Sequence, residues 1–287
     1  MPVDGNRSAM KPRILLVECP DRPGLVHDIT GILFRRGVNV VGNHEFVERT
    51  LGRFFMRTEF DGVVDEAAVV SELRGILPTN ADLRLIRPEP KRIVVLASKE
   101  HHCLADILVR HAFGELNASI VAVLINHTRL EPLVRQFGLP FHHIPVVEDH
   151  RAAQEQAVRE RIQDLSPEYL VLAKYMRILS PEFVREHPAR IVNIHHSFLP
   201  AFVGARPYHQ AFERGVKVIG ATAHFVTDEL DAGPILVQQV IPVDHTHDAE
   251  ELARSGRDVE QMVLAKALRL VFEDRVFLCG NRTVIFD

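Results

Sequence analysis

"RIVNIHHSFLP", residues 190–200, carries an apolar strand-like run into an amide and two imidazoles, Asn193, His195 and His196, before Pro200 and, further on, Gly204. Polar side chains at the edge of a core are costly unless hydrogen-bonded. The three residues are therefore either satisfied groups that cap a strand or groups kept there for chemistry, and the stretch alone leaves both readings open. Successive side chains of an extended segment face opposite sides. Asn193 and His195 are thus expected on one side, with Ile194 and His196 turned away and His196 supporting the loop through a hydrogen bond.

Working outward, the apolar runs "RIVVLA", "SIVAVLI", "FHHIPV" and "YLVLA" alternate with helical stretches such as "HCLADILVRHAF" and "EPLVRQFG". That alternation predicts an α/β, Rossmann-like doubly wound parallel sheet. "KVIGATAHFVT" and "PILVQQVIPV" follow closely on one another, as an added hairpin-like pair would. In such sheets ligands bind beyond the carboxyl ends of the strands, which is where Asn193 and His195 fall.

Upstream, "LIRPEPKRIVVLA" breaks the pattern, with Pro88 and Pro90 bracketing Glu89, and predicts a linker over 87–91. Before it, "RILLVE", "VNVVGNHEFV", "RFFMRTEF" and "ADLRLI" read as strands. "GLVHDITGILFRRG" and "DEAAVVSELRGIL" read as helices, the first with Leu25, Ile29, Ile32 and Leu33 on one face. The order is βαββαβ, ferredoxin-like. The expected division is a small domain over 12–86, the linker, and a larger domain over 92–287. Asp21, Arg22, Pro23 and Gly24 form a strand-to-helix turn where a glycine lets a ligand approach the backbone, although a plain turn explains them equally well.

The chain has 287 residues, 46% hydrophobic and 25% charged, with a formal net charge of −4. This suits two globular domains. No basic block or aromatic-plus-basic stripe supports nucleic-acid binding, and apolar runs such as 119–125 are far short of the ~20 residues that span a membrane. "MPVDGNRSAMKP" lacks the apolar segment of a signal peptide and is expected to be a loose tail. Cys19, Cys103 and Cys279 are odd in number and contain no CxxC, which favours a reduced cytoplasmic protein.

The first domain, over roughly 12–86, resembles an ACT domain, a regulatory module that binds small amino acids. The resemblance implies Asp21, Arg22, Pro23, Gly24 and Asn39 as effector-site candidates, methionine and glycine as effectors, and a homo-oligomer assembled through the ACT and catalytic domains. In the second domain, "LAKYMRILSPEF" (172–183), "NIHHSFLP" (193–200) and "GATAHFVTDELDAGPIL" (220–236) together resemble the folate-dependent formyltransferase fold. That resemblance implies a catalytic triad of Asn193, His195 and Asp231, with His224 beside it. It also implies folate contacts from Met176, Arg177, Ile178 and Leu179, which match the segment lining the pterin pocket, and from Thr227 and Asp228.

These residue types suit the chemistry on their own account. Attack on a formyl group builds negative charge on oxygen, which an amide NH2 or an imidazolium stabilises, while a carboxylate supports the charged imidazole that moves protons. Alone, Asp231 in "ELDAGP" would read as a turn residue; beside the other motifs it reads as part of a site. Transformylases of the glycinamide type carry a Gly-Ser-Asn loop for phosphate at the first strand end. Here "LASKEHHCLADIL" has Lys99, Glu100, His101 and His102 and no glycine, so water is expected as the acceptor. With its ACT-like start, the chain resembles formyltetrahydrofolate deformylases along nearly its whole length. The resemblance implies hydrolysis of 10-formyltetrahydrofolate to tetrahydrofolate and formate, which would supply purine synthesis without a cofactor or metal. Val203, where a basic residue is expected in "PAFxGA", departs from the pattern.

Three alternatives remain at this stage. One is formyl transfer to an amine. Another is a non-catalytic folate or amino-acid sensor. The third is a metal site built from His142–His143, His195–His196 and His245 with His247; "HEFVE" at 44–48 does not match H-E-x-x-H.

Overall fold

A computed structural model describes residues 12–146, 151–200 and 207–287. Val203 and the amino-terminal tail through Lys11 lie outside the described residues. The chain divides into two compact units, one reaching Glu89 and including Val284–Asp287, the other Pro90–Thr283. The last four residues thus group with the first unit, where the sequence reading had placed them in the second. Their physical anchor is Phe286, which is buried and stacks on His44 at 5.8 Å.

The first unit runs β1 (Arg13–Pro20), α1 (Leu25–Arg35), β2 (Asn39–Glu48), β3 (Arg53–Asp61), α2 (Glu66–Ile76) and β4 (Asp82–Ile86), the βαββαβ order read from the sequence. Its antiparallel sheet has the order β2-β3-β1-β4. Leu15, Val17 and Cys19 alternate along β1 and bury one face against Ile29 and Leu33 of α1 and Val69 and Leu73 of α2.

The second unit continues with β5 (Lys91–Ala97), α3 (His102–Ala112), β6 (Ala118–Ile125), α4 (Glu131–Gln136), β7 (Phe141–His143), α5 (Arg151–Leu165), β8 (Tyr169–Ala173), α6 (Pro181–Glu186), β9 (Ile191–His195), α7 (Pro207–Arg214), β10 (Val218–Phe225), β11 (Ile235–Pro242), α8 (Ala249–Phe272) and β12 (Val276–Cys279), and β13 (Arg282–Ile285) runs across the division at Thr283. Its sheet has the order β11-β10-β9-β8-β5-β6-β7. Strands β5 to β9 are parallel, and β10 and β11 add the antiparallel pair. Apolar side chains serve both faces of the parallel strands. Ile93 and Val95 pack toward α3 and α8, while Val94 and Leu96 pack toward α5 and α6.

The chain winds from β5 outward to β7 and then returns to the other side of β5 with β8. This reversal opens a crevice at the carboxyl ends of β5 and β8. The 24-residue helix α8 has no counterpart in the sequence reading, although its start carries a full capping box, Asp248 with Glu251. Among the described residues, no helix is long and apolar enough to cross a membrane.

Candidate active site

Strand β9 ends at His195, with Asn193 two residues earlier on the same face. Antiparallel pairing places His224 of β10 opposite Asn193 and Thr222 opposite His195. The loop after β9 is tied to the sheet through Thr222, whose Oγ1 donates to the Ser197 carbonyl at 2.9 Å and accepts from the Leu199 amide at 3.1 Å. Gln238 of β11 donates to the Leu199 carbonyl and to Thr222 Oγ1, both at 3.0 Å.

Asp231 arrives from the turn between β10 and β11. It adopts a left-handed conformation, φ 56°, which Asp tolerates better than most residues. Gly233 makes this turn feasible: a Cβ there would lie 1.8 Å from the Phe225 carbonyl oxygen. The result is an Asp231 Oδ1 that sits 3.3 Å from His195 Nδ1 and 3.8 Å from His224 Nε2.

The hydrogen bonds assign roles within the cluster. His224 Nδ1 donates to the Phe225 carbonyl at 2.9 Å, so its Nε2 accepts from Asn193 Nδ2 at 3.2 Å. Burial lowers the His224 pKa and keeps this imidazole neutral. One N–H of the Asn193 amide is committed to His224 and the second remains for a ligand. The hydrogen bond from His195 holds the Asp231 carboxyl below its ordinary value against the opposing effect of burial. His195 Nε2 is buried with no hydrogen-bond partner among the described residues.

A cavity of about 330 Å³ opens on this cluster. All ten residues the sequence reading named for catalysis and folate binding border it: Asn193, His195 and Asp231, together with Met176, Arg177, Ile178, Leu179, His224, Thr227 and Asp228. Val226 and Leu230 complete an apolar slot with polar residues at its ends, the lining expected for a flat heterocycle. Met176 and Ile178 are 59% and 54% exposed, large apolar side chains held out at a cavity rather than packed away. Arg185 pairs with Asp228 at 3.2 Å.

The expectation for His196 is overturned. Strand β9 stops at His195, and beyond it the two-residue alternation no longer applies. The His196 ring lies parallel to that of His195, with centroids 5.0 Å apart and an 11° interplanar angle, and borders the same cavity.

A cluster that the sequence reading missed lies at the crevice. Glu260 of α8 is 1% exposed. Its Oε2 meets His102 Nε2 at 2.7 Å and Lys174 Nζ at 3.0 Å, and its Oε1 accepts from the Tyr208 hydroxyl at 2.7 Å. His102, Cys103 and Glu260 form the one group of metal-capable side chains close enough to share an ion among the described residues. However, both Glu260 oxygens are already engaged, and burial raises the Cys103 thiol pKa well above its ordinary value, so the group reads as a hydrogen-bonded cluster. The histidine pairs at 142–143, 195–196 and 245 with 247 form no such group among the described residues. Only the capping box at the start of α8 hinted at this helix, and nothing in the local sequence linked it to residues 102, 174 and 208.

In the first unit, Gly24 is the N-cap of α1 with φ 86°. Arg22 pairs with Asp28 at 2.8 Å and donates to the Ile76 carbonyl at 3.0 Å. Of the five proposed effector residues, Arg22 borders a cavity of about 290 Å³, which His27, Asp28, Gly31, Arg35 and Ile76 complete. Asp21, Pro23, Gly24 and Asn39 are exposed and do not line it.

Comparison with known proteins agrees with this geometry. A family model described as formyl transferase matches residues 91–268, and one described as ACT domain matches residues 13–77. The formyltetrahydrofolate deformylase of Haemophilus influenzae is 50% identical over 95% of this chain and 98% of its own length. A crystal structure of a formyltetrahydrofolate deformylase from Pseudomonas syringae pv. tomato superposes with a TM-score of 0.93 at 40% identity, covering 98% of this chain and 96% of that one. A glycinamide ribonucleotide transformylase structure from Symbiobacterium toebii reaches a TM-score of 0.66 at 33% identity and covers 72% of this chain and 98% of that one. Similarity to the transformylase thus spans the shorter stretch, whereas similarity to the deformylases runs through both units. The chain belongs to the formyltetrahydrofolate deformylase family.

Proposed function

We propose that the chain hydrolyses 10-formyltetrahydrofolate to tetrahydrofolate and formate, releasing formate for purine synthesis and balancing the one-carbon folate pool. The observation that carries this reading is the convergence of Asn193, His195 and Asp231 on one apolar-walled cavity. The pterin occupies the slot formed by residues 176–179 with His224, Thr227 and Asp228. The free Asn193 N–H stabilises the oxyanion that forms when the formyl carbon becomes tetrahedral. Asp231 stabilises the charged form of His195, which delivers a proton to the departing nitrogen. No metal or organic cofactor takes part in this scheme.

Water is favoured over an amine acceptor by the environment of Glu260. It is the buried carboxylate of the adjoining crevice, and its oxygens are already taken by His102, Lys174 and Tyr208. Lys99, Glu100 and His102, which border the same crevice, stand where a glycine-rich loop would cradle a phosphate, which disfavours a phosphorylated amine acceptor.

The same reading makes the first unit an amino-acid sensor and an assembly module, in which methionine or glycine binds near residues 21–24 and Asn39 within a homo-oligomer. It also places the enzyme in the cytoplasm, where Cys19, Cys103 and Cys279 stay free thiols. The test is formate release from 10-formyltetrahydrofolate by the purified chain, with and without chelator and with either amino acid added. Hydrolysis that survives chelation supports the reading. Faster formylation of glycinamide ribonucleotide than of water overturns it, as does folate binding without turnover.

A further inference from the structure

We infer that His196 is the general base of the hydrolysis, taking the proton from a water that reaches the formyl group through a second cavity. The inference rests on the deformylase reading above. The second cavity, about 620 Å³, lies in the crevice beyond β5 and β8. It shares Lys174, Met176, Arg177 and His196 with the folate slot. Among the described histidines, His196 alone borders both: His195 and His224 border the first cavity, His102 and His127 the second.

The second cavity suits water. Ser98, Lys99, Glu100 and Asn126 line it, and Asn126 Oδ1 and His102 Nδ1 are buried with no hydrogen-bond partner among the described residues, the kind of group that takes an ordered water. Polar and charged side chains make up a larger share of the crevice lining than of the folate slot, so the crevice is the route by which a nucleophilic water meets the formyl carbon. No described residue hydrogen-bonds the His196 ring, which leaves a lone pair to receive the proton.

Stacked 5.0 Å apart, the two imidazoles cannot comfortably both be cations. Asp231 lies 3.3 Å from His195, where its carboxylate can accept a hydrogen bond from the protonated ring. His196 is driven the other way: burial, reinforced by the charges of Lys174 and His195, pushes it down to about 4, against the weaker pull of Glu260 and Asp231. One ring is paired with a carboxylate and the other is not, a geometry that suits the two to opposite roles, one acid and one base.

The steps balance. The water oxygen bonds to the formyl carbon as His196 takes one water proton, and the carbonyl electron pair moves onto the oxygen facing Asn193. Protonated His195 then gives its proton to the folate nitrogen, and the C–N bond breaks as the oxyanion re-forms a carbonyl. Tetrahydrofolate and formic acid result. Formic acid loses its proton to His195, and His196 releases the water proton to solvent, so the net products are tetrahydrofolate, formate and one proton.

Hydroxylamine separates this role from a structural one, because it attacks a formyl group without a base and leaves a measurable hydroxamate. For His196→Asn and His196→Gln, kcat for hydrolysis should fall by about 100- to 10,000-fold with KM little changed, the usual contribution of a general base. Hydroxamate formation should stay within about tenfold of wild type, and the thermal melt should be retained. His195→Asn should lose both reactions. Hydrolysis by either His196 variant near the wild-type rate overturns the inference. So does an equal loss of hydrolysis and hydroxamate formation, or a loss accompanied by a lowered melt. Absence of hydrolysis in the wild type would instead overturn the deformylase reading itself.

Discussion

Glu260→Gln removes one charge from the centre of a four-element junction. The carboxylate is 1% exposed and receives hydrogen bonds from α3 through His102 and from α7 through Tyr208, while Lys174 just beyond β8 supplies the counter-charge at 3.0 Å. An amide of the same size turns one acceptor into a donor facing a donor. It also leaves Lys174, 8% exposed, without its counter-ion. Removing one partner of a buried pair costs about 3 to 5 kcal/mol. At about 2 to 4 °C per kcal/mol for a unit of roughly 200 residues, the melt should fall by about 6 to 20 °C. Adding Lys174→Met should recover part of that loss, because it removes the buried ammonium left without a counter-ion. Thermal unfolding of the single and double variants decides the matter. A Glu260→Gln melt within about 2 °C of wild type, or a double variant worse than the sum of its parts, would refute the argument. The pH dependence carries the same sign. Burial raises the Glu260 pKa, but His102, Lys174 and Tyr208 outweigh it and bring the group to about 2. Its stabilisation is therefore complete above the ordinary carboxylate range and is lost as pH falls through about 2.

Asp231→Asn keeps the size of the side chain while removing the charge 3.3 Å from His195; turnover should fall by about 100-fold or more with folate binding largely kept, and combining it with Asn193→Ala or His195→Ala should cost little more than the worst single change. Steady-state kinetics beside equilibrium folate binding checks this, and near-normal turnover in Asp231→Asn would exclude its role. With burial first, then Lys174 and His195, lowering the His196 pKa, Glu260 and Asp231 raising it, and Tyr208 facing the ring at 6.4 Å, the base stays neutral to about pH 4. The acid limb of kcat should then lie below the ordinary imidazole value, and a limb centred at that value would contradict the assignment. Gly256→Ala should lower the melt and displace Tyr208, since a Cβ would sit 2.1 Å from its hydroxyl; pairing it with Tyr208→Phe, which still leaves the ring in place, should not relieve the clash, whereas Tyr208→Ala should.

The sequence carried the architecture because the relevant signals are local and periodic. Apolar runs at strand length, separated by helical spacing, specify alternating layers whichever neighbours each strand later acquires. Of the site residues, Asn193 and His195 were expected on one face by two-residue alternation, whereas Asp231 and the folate contacts were legible only through the resemblance to folate-dependent formyltransferases, since Asp231 on its own reads as a turn residue. The side of the sheet to which β8 returned was a tertiary outcome, and with it the crevice between β5 and β8. His196 departed from its expected side because β9 ends one residue earlier, and the hydrogen bonds of Thr222 and Gln238, not strand periodicity, set the loop beyond it. The junction around Glu260 joins positions 102, 174, 208 and 260, which only the folded chain brings within hydrogen-bond reach. Such a cluster leaves no periodic mark, because each partner looks ordinary on its own element and acquires meaning only when burial forces the charges to find one another.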